Sequence, residues 1–504
     1  MRSRHIILAG ACLLARSSPA EPAQFRLPAS DFNYRQVCDY VEATPGADYR
    51  HASDAALEAF RDMKFGIRIH WGIYSILGRP GESWPFLRMS NGQRQDYQEL
   101  YRAWNPTGFD AEAWMALIER AGARCFAFTA KHHEGFSMFD THTRVRQRVN
   151  WTAPGGPRIE DCDLAYSIME TPFHRDVVRE LCDAAHRHGI KIDLYFSHPD
   201  WYDADFRPYT FHPLQTPRAA ELAPNEAGEA ERAQSPRPLV IVPDPTPAET
   251  QRMLARHREQ LRELLTNYGK IDMVCLDMWL GPKVWSQLRA TIVQLRSIQP
   301  DVMLRARGIG NYGDYYTPEG FVPGEKENTS MPWMVIYPLG RSFSYESDAA
   351  QYKGAKWIID NLVDASAKGG NFMVGIGPDA NGRFHPAAIA QLEEAGAWLR
   401  TNGEAIYATR PRSGKRWKDG DHIRFTRSKD GAALYAISLK RPGDKFVLHD
   451  ILARPGTAIA LLGASASVPW AQAGNDLEID VPRNAPIALA YAFKITPQRA
   501  ADSL

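Results

Sequence analysis

The sequence predicts an α/β chain: a (β/α)8-like TIM barrel that carries the chemistry, followed by a C-terminal β-sandwich. Three observations predict this. From about residue 55 to 411, short apolar runs alternate with amphipathic stretches, the order expected of strands and helices around a parallel sheet. The runs are continuously apolar rather than alternating, as strands covered on both faces are. Beyond residue 412 the chain changes to short β-prone runs divided by turn signals such as Lys418-Asp419-Gly420 and Lys429-Asp430-Gly431, the pattern of an antiparallel sandwich.

Taken in order, the chain opens with Arg2, Arg4 and His5, an apolar run over 6–15, and small residues ending Ser18-Pro19-Ala20 before Glu21. This reads as a signal peptide over 1–20, too short to span a bilayer. The chain is therefore expected to be exported, periplasmic or extracellular. Ala11-Cys12 sits too early in the run for a lipoprotein site. No other segment is long and apolar enough for a membrane helix. Residues 21–54 form an N-terminal extension. Barrel strands are expected over 65–69, 125–129, 190–196, 273–276, 302–304, 334–337 and 372–376. Helices are expected over 111–121, 174–188, 249–268, 283–298 and 351–367. Residues 203–247, rich in Pro, Ala and Glu and without periodicity, read as a long surface loop inserted after the third strand. Sandwich strands are expected over 422–426, 433–439, 458–462, 477–481 and 488–493, with a tail over 495–504.

With 504 residues the chain is too long for one ordinary core. Its 60 Lys and Arg balance 59 Asp and Glu, which gives no case for nucleic acid or anionic lipid as a partner. Thirteen Trp suit contact with sugar faces, and equally suit a core. The six Cys form no CxxC, so neither a thiolate zinc site nor a disulfide framework is supported. The sequons at Asn150 and Asn328 carry little without a known host. No GxGxxG follows the first strand, so a dinucleotide site has no support.

Barrel enzymes place their chemistry at the C-terminal ends of strands. The first run ends in His70-Trp71-Gly72, the second in Lys131-His132-His133-Glu134-Gly135. The third carries Tyr195 and then Ser197-His198. The fourth ends in Asp277-Met278-Trp279, the fifth in Arg305-Ala306-Arg307-Gly308. Each has a plain structural reading as well: a strand-end Asp caps a turn, an Arg makes a structural ion pair, Trp71 and Trp84 fill a core. Asp277, however, lies inside an apolar string, where a lone carboxylate is costly unless paired or functional. His132 and His133 are adjacent, and adjacent strand residues point to opposite faces, so they are weak metal candidates. Hydrogen bonding to substrate hydroxyls is the better use of them.

These strings, in this order, resemble glycoside hydrolase family 29, the α-L-fucosidases. The carriers are Lys64-Phe65-Gly66-Ile67-Arg68-Ile69-His70-Trp71-Gly72, Thr129-Ala130-Lys131-His132-His133-Glu134-Gly135-Phe136, Leu194-Tyr195-Phe196-Ser197 and the stretch 261–277. Lys368-Gly369-Gly370-Asn371 through Pro378 and Asn402-Gly403-Glu404-Ala405-Ile406-Tyr407 complete the set. The resemblance implies release of terminal α-L-fucose from fucosylated oligosaccharides or glycoconjugates by a retaining double displacement, with no metal and no cofactor. It places Asp277 as nucleophile and Glu319 as acid/base, with Glu325 and Glu327 as alternatives on the same loop. The Trp-Glu pair of another family branch is Trp333-Met334 here. His70, Glu82, Trp84, His132, His133, Tyr195 and Arg307 would bind substrate. Fucose lacks a C6 hydroxyl, so its methyl needs an apolar wall, for which Trp279 and Phe136 are candidates. The rival readings are hydrolysis of a fucose-like sugar such as α-L-galactose, a metal-dependent barrel hydrolase using His132 and His133, and a non-catalytic sugar-binding protein. A homo-oligomer is compatible with all of them.

Overall fold

The structure is a computed structural model. It describes residues 32–207, 209, 212–215, 244–318, 331–412, 416–464 and 467–497. The signal peptide, most of the 203–247 insertion, and Glu319, Glu325 and Glu327 lie outside the described residues.

After helices α1 (Phe32–Cys38) and α2 (Asp54–Met63) comes strand β1 (Phe65–Ile69). Helices α3 (Asn91–Glu99) and α4 (Ala111–Arg120) lead to β2 (Cys125–Lys131). An antiparallel hairpin, β3 (Val145–Asn150) and β4 (Arg158–Leu164), precedes α5 (Val177–His188) and β5 (Lys191–Ser197). Then follow α6 (Pro247–Thr266), β6 (Met273–Asp277), α7 (Trp285–Ile298), β7 (Met303–Leu304), β8 (Met334–Pro338), α8 (Ala355–Ala367), β9 (Asn371–Ile376) and α9 (Pro386–Asn402). The seven-stranded sheet runs β7-β6-β5-β2-β1-β9-β8, parallel at every pairing. Its two edges are spanned by Tyr315 and Tyr316. Tyr315 bridges to Arg305 beyond β7, and Tyr316 bridges to Trp333 before β8, both in parallel sense.

The helices start and stop where their ends are chemically satisfied. Thr246 and Glu249 form a capping box on α6, with Pro247 in its first turn. Asp176 caps α5, which ends on Gly189 in the left-handed conformation. Outward-facing Ile67, Ile69, Leu194, Phe196, Val274 and Leu276 join the main core against these helices. Inside the barrel, Met273, Met303, Met334 and Met373 pack against Phe60 and Met63 of α2. That helix plugs the N-terminal end of the barrel.

The expected barrel strands appear within one or two residues, while the last sandwich strand, expected over 488–493, lies at Tyr491–Thr496. The hairpin, α2, α3 and α9 are elements the apolar pattern did not announce. The start of the expected 203–247 loop is different from the reading above: Asp203, Asp205, Phe206 and Arg207 are buried. The reason is ionic. Arg256 NH1 donates to Asp203 at 3.3 Å, Arg252 pairs with Asp205 at 3.0 Å, and Arg207 pairs with Glu249 at 2.8 Å. Hydropathy does not register such pairing.

The C-terminal part is two antiparallel sheets. The larger has β10 (Arg410–Pro411), β11 (Lys418–Asp419), β12 (Ile423–Arg427), β13 (Leu434–Ser438), β15 (Ala458–Leu461) and β18 (Tyr491–Thr496). The smaller has β14 (Lys445–Leu448), β16 (Trp470–Ala473) and β17 (Asp476–Asp480). Their shared core includes Phe425, Phe446, Leu448, Leu477 and Phe493. The larger sheet docks on the barrel: Trp398 Nε1 of α9 donates to the Ala490 carbonyl at 2.8 Å, and Arg424 pairs with Asp364 of α8 at 2.8 Å.

Candidate active site

Asp277 is the last residue of β6, at the C-terminal mouth of the barrel. Its side chain is 12% exposed. Arg307 donates to Oδ1 at 2.9 Å and Arg305 to the same oxygen at 3.2 Å. The Tyr195 hydroxyl, from β5, donates to Oδ2 at 2.6 Å. Arg305 follows β7 directly and Arg307 lies on the turn beyond it, and both reach the same oxygen. Burial opposes ionisation of Asp277, but the two guanidinium groups, Arg307 foremost, hold its carboxyl well below the usual carboxylate range. Tyr195 is pushed well above the usual phenol value by burial and by Asp277, so it stays a donor.

Met278, immediately after Asp277, has φ 62°. A non-glycine residue in that region is strained and is held only by its surroundings. Gly308 faces it with φ 82°, and a Cβ there would lie 2.5 Å from the Met278 carbonyl oxygen. The β6 and β7 ends therefore approach as closely as backbones can, which brings Arg307 onto Asp277.

His132 and His133 both enter the site, which regular alternation would forbid. The β2–β5 register shifts between Thr129 and Lys131, and such an irregularity re-aims the side chains beyond it. His132 Nδ1 lies 2.5 Å from Ser83 Oγ, and its ring stacks on Tyr195 at 5.3 Å. His133 Nδ1 lies 2.8 Å from Ser197 Oγ, and its Nε2 lies 3.8 Å from Asp277 Oδ2. Ser197 has one hydroxyl proton and gives it to the Pro199 carbonyl at 2.8 Å. His133 Nδ1 must then be the donor to Ser197, which leaves Nε2 as an acceptor facing the pocket. Burial and the neighbouring His132 hold His133 neutral, its pKa well below the ordinary imidazole value.

His70 follows β1 and is buried. Burial, Arg68 and His132 likewise keep its pKa well below the ordinary value. Among the described residues its buried Nδ1 has no hydrogen-bond partner, a cost that a ligand hydroxyl would remove. Its ring stacks on Phe343 at 4.8 Å. Glu82, with φ 47°, accepts from the Ser344 amide at 2.8 Å. Trp84 stands edge-on to His133 at 4.9 Å and to Trp201 at 5.5 Å.

The structure thus brings His70, Trp84, His132, His133, Tyr195, Asp277 and Arg307 to one pocket, with Glu82 on the loop that holds its rim. Trp71 is core, packed on Trp104, Phe109 and Trp114. Phe136 packs on Tyr101, Trp104 and Tyr166 instead of on the pocket, while Trp279 is partly buried against the main core. The apolar wall against His70 is Phe343, which no strand-end rule picks out because it lies five residues beyond β8. Arg305 and Ser197 stood among the strand-end residues of the sequence without an assigned role, and Ser83 lies between Glu82 and Trp84. Among the described residues no group of three or more His, Cys, Asp or Glu is arranged to hold a metal ion.

The chain matches known proteins over most of its length. A family model for alpha-L-fucosidase matches residues 42–404, and one for the alpha-L-fucosidase C-terminal domain matches 419–496. The chain belongs to the alpha-L-fucosidase family. It is similar to the human tissue alpha-L-fucosidase, 27% identical over 469 residues, 87% of each chain. Alpha-L-fucosidase isoenzyme 1 from Paenibacillus thiaminolyticus superposes with a TM-score of 0.70 at 25% identity, covering 88% of this chain and 99% of that one. A family 29 enzyme from Bacteroides thetaiotaomicron, solved as a trapped covalent intermediate, shares the fold at 22% identity. Its TM-score is 0.68, and the match covers 90% of this chain and 99% of that one. Family and fold together make the chain a glycoside hydrolase of the alpha-L-fucosidase type.

Proposed function

We propose that this enzyme is an exported, retaining exo-glycosidase that releases terminal α-L-fucose from glycoconjugates or plant or host glycans by double displacement. The observation that carries the reading is the setting of Asp277: fixed through Oδ1 by two arginines and presented at the mouth of a pocket lined by His70, His132 and His133. Asp277 attacks the anomeric carbon. Glu319, with Glu325 as the alternative, protonates the departing oxygen and later deprotonates water. His133 Nε2 accepts from a sugar hydroxyl beside the nucleophile, and His70 Nδ1 bonds another. Phe343 supports a methyl at C6 over the hydroxymethyl of α-L-galactose. The trapped covalent intermediate of the Bacteroides relative supports a glycosyl-enzyme in this family.

The test is proton NMR of the first-formed sugar with an aryl α-L-fucoside. Retention gives the α anomer first, and β-fucose first would overturn the mechanism. Glu319→Gln is expected to lose more rate on natural glycans than on activated aryl fucosides; equal losses would pass the role to another carboxyl. Export is tested by N-terminal sequencing of the protein recovered outside the cytoplasm, expected to begin at Glu21.

A further inference from the structure

A second cavity opens beside the catalytic pocket and shares a wall with it. It is a groove of about 460 Å3 lined by Arg79, Trp84, Arg88, Gln93, Arg341 and Ser342, among others. That volume lies within the range of small-ligand sites, roughly 300–1,000 Å3. Its two sides come from the loops that follow β1 and β8, both on the catalytic face. The loops are fastened together: the Gly81 amide donates to Ser342 and Ser344 hydroxyls at 3.2 Å, and the Ser344 amide donates to Glu82. The 84–88 turn is pinned from beneath by Arg94, which donates to the Phe86 and Leu87 carbonyls. Trp84 is the shared wall. One edge meets His133, which stands 3.8 Å from Asp277, and the ring also lines the groove.

The groove is cationic. Arg79 and Arg88 are exposed, and among the described residues neither guanidinium makes an ion pair or hydrogen bond. Arg341 pairs with Glu346 at 2.7 and 2.8 Å. Glu346 is engaged by Arg341 and the buried Glu82 by the Ser344 amide, and none of the described residues lining the groove is acidic. Unpaired arginines on a pinned loop are forks for a planar or tetrahedral oxyanion, and an indole wall suits a pyranose face.

We propose that this groove is the subsite for the leaving-group sugar, and that it takes a sugar bearing an anion, a sulfate ester or a carboxylate. The inference rests on the fucosidase reading and names its substrate class. Arg79 and Arg88 hold the anion while Trp84 carries the ring, so that the bond to fucose lies over Asp277.

The test uses the full chain and matched pairs of fucosylated oligosaccharides, with the sugar next to fucose neutral, 6-O-sulfated or replaced by a uronic acid. The kcat/KM is expected to be about tenfold higher on one or both anionic members, the size of a single charge-assisted contact, and to fall towards the neutral value at high salt. Which anionic member gains separates sulfate from carboxylate. The double variant Arg79→Gln/Arg88→Gln should lose that preference while keeping its rate on 4-nitrophenyl α-L-fucoside. Equal rates on neutral and anionic members, or a preference that survives in the double variant, would overturn the proposal. Calorimetric binding of 6-sulfo-N-acetyllactosamine and of a glucuronic-acid disaccharide, neither carrying fucose, reads the groove without turnover. Loss of aryl-fucoside activity alone would therefore count against the fucosidase reading, and loss of this binding alone against the groove.

Discussion

Two buried aspartate–arginine clusters stand at neighbouring strand ends, and they differ in what they leave open. Asp200, three residues beyond β5, accepts at Oδ1 from the Tyr202 and Asp203 amides at 3.0 Å and at Oδ2 from Arg256 at 2.6 Å, with Lys131 at 3.6 Å. Its side chain is 0% exposed. Burial resists its charge, yet Arg256 and Lys131 hold its carboxyl low, while burial and the adjacent Asp200 and Asp205 push Asp203 up. Every strong acceptor site there is taken by a donor of the protein itself. Asp277 has the same partners in kind, but its arginines share one oxygen and the other meets only a phenol and a neutral imidazole. The lesson is that depression of a carboxyl by arginine does not mark a nucleophile. An oxygen left accessible at a pocket does.

That contrast can be broken or sharpened in four steps, from the largest effect to the smallest. Asp277→Gly is expected to lower kcat by about a thousandfold or more with an unchanged circular dichroism spectrum, and azide or formate should restore part of the rate. Unchanged turnover would remove Asp277 from the mechanism. Arg256→Met should do the opposite, costing about 3–5 kcal/mol of stability by stranding Asp200 while leaving kcat per folded molecule nearly intact; chemical denaturation and active-site titration separate the two. Arg307→Gln removes the strongest cationic influence on Asp277, and kcat/KM should fall on the order of a hundredfold. The sign of its pH effect follows from the depressed carboxyl. In the parent enzyme Asp277 stays ionised until pH falls well below 3.8, so losing Arg307 raises its pKa and moves the acid limb of the profile to higher pH. A limb that stays in place would mean another group sets it. Gly308→Ala forces a Cβ towards the Met278 carbonyl in a left-handed conformation, at about 1–3 kcal/mol; thermal melting should show it, with activity loss following from displaced Arg307.

Much of the barrel was legible because its strands are covered on both faces and its helices are amphipathic, so burial wrote itself into the residue pattern. Asp277 was legible for the same reason, as a charge in an apolar string. What escaped reading depends on departures from regular geometry or on ionic burial. Alternation sends His132 and His133 to opposite faces, and only the irregular end of β2 brings both into the pocket. Pro, Ala and Glu without periodicity made 203–247 read as a surface loop, although arginines of α6 hold its first residues, Asp203 and Asp205, buried. Phe343 lies on a loop with no periodicity to report its direction. The hairpin of β3 and β4 carries charges on both faces, so nothing apolar announces it.

The seam between β7 and β8 has a consequence for how the barrel moves. Most adjacent strands of the sheet share ladders of four to six residues and β6 and β7 share two, but here, among the described residues, two tyrosines carry the connection through bonds such as Ala306 N to the Tyr315 carbonyl at 2.9 Å and Met334 N to the Tyr316 carbonyl at 2.9 Å. A cylinder of uniform staves with one stave cut short parts along that line first. Amide deuterium uptake should therefore begin at Tyr316 and Met334 while Ile67 and Phe126, deep in the continuous sheet, remain protected. The seam is thus the line along which the barrel is expected to open first, and it runs beside the arginines that hold the nucleophile.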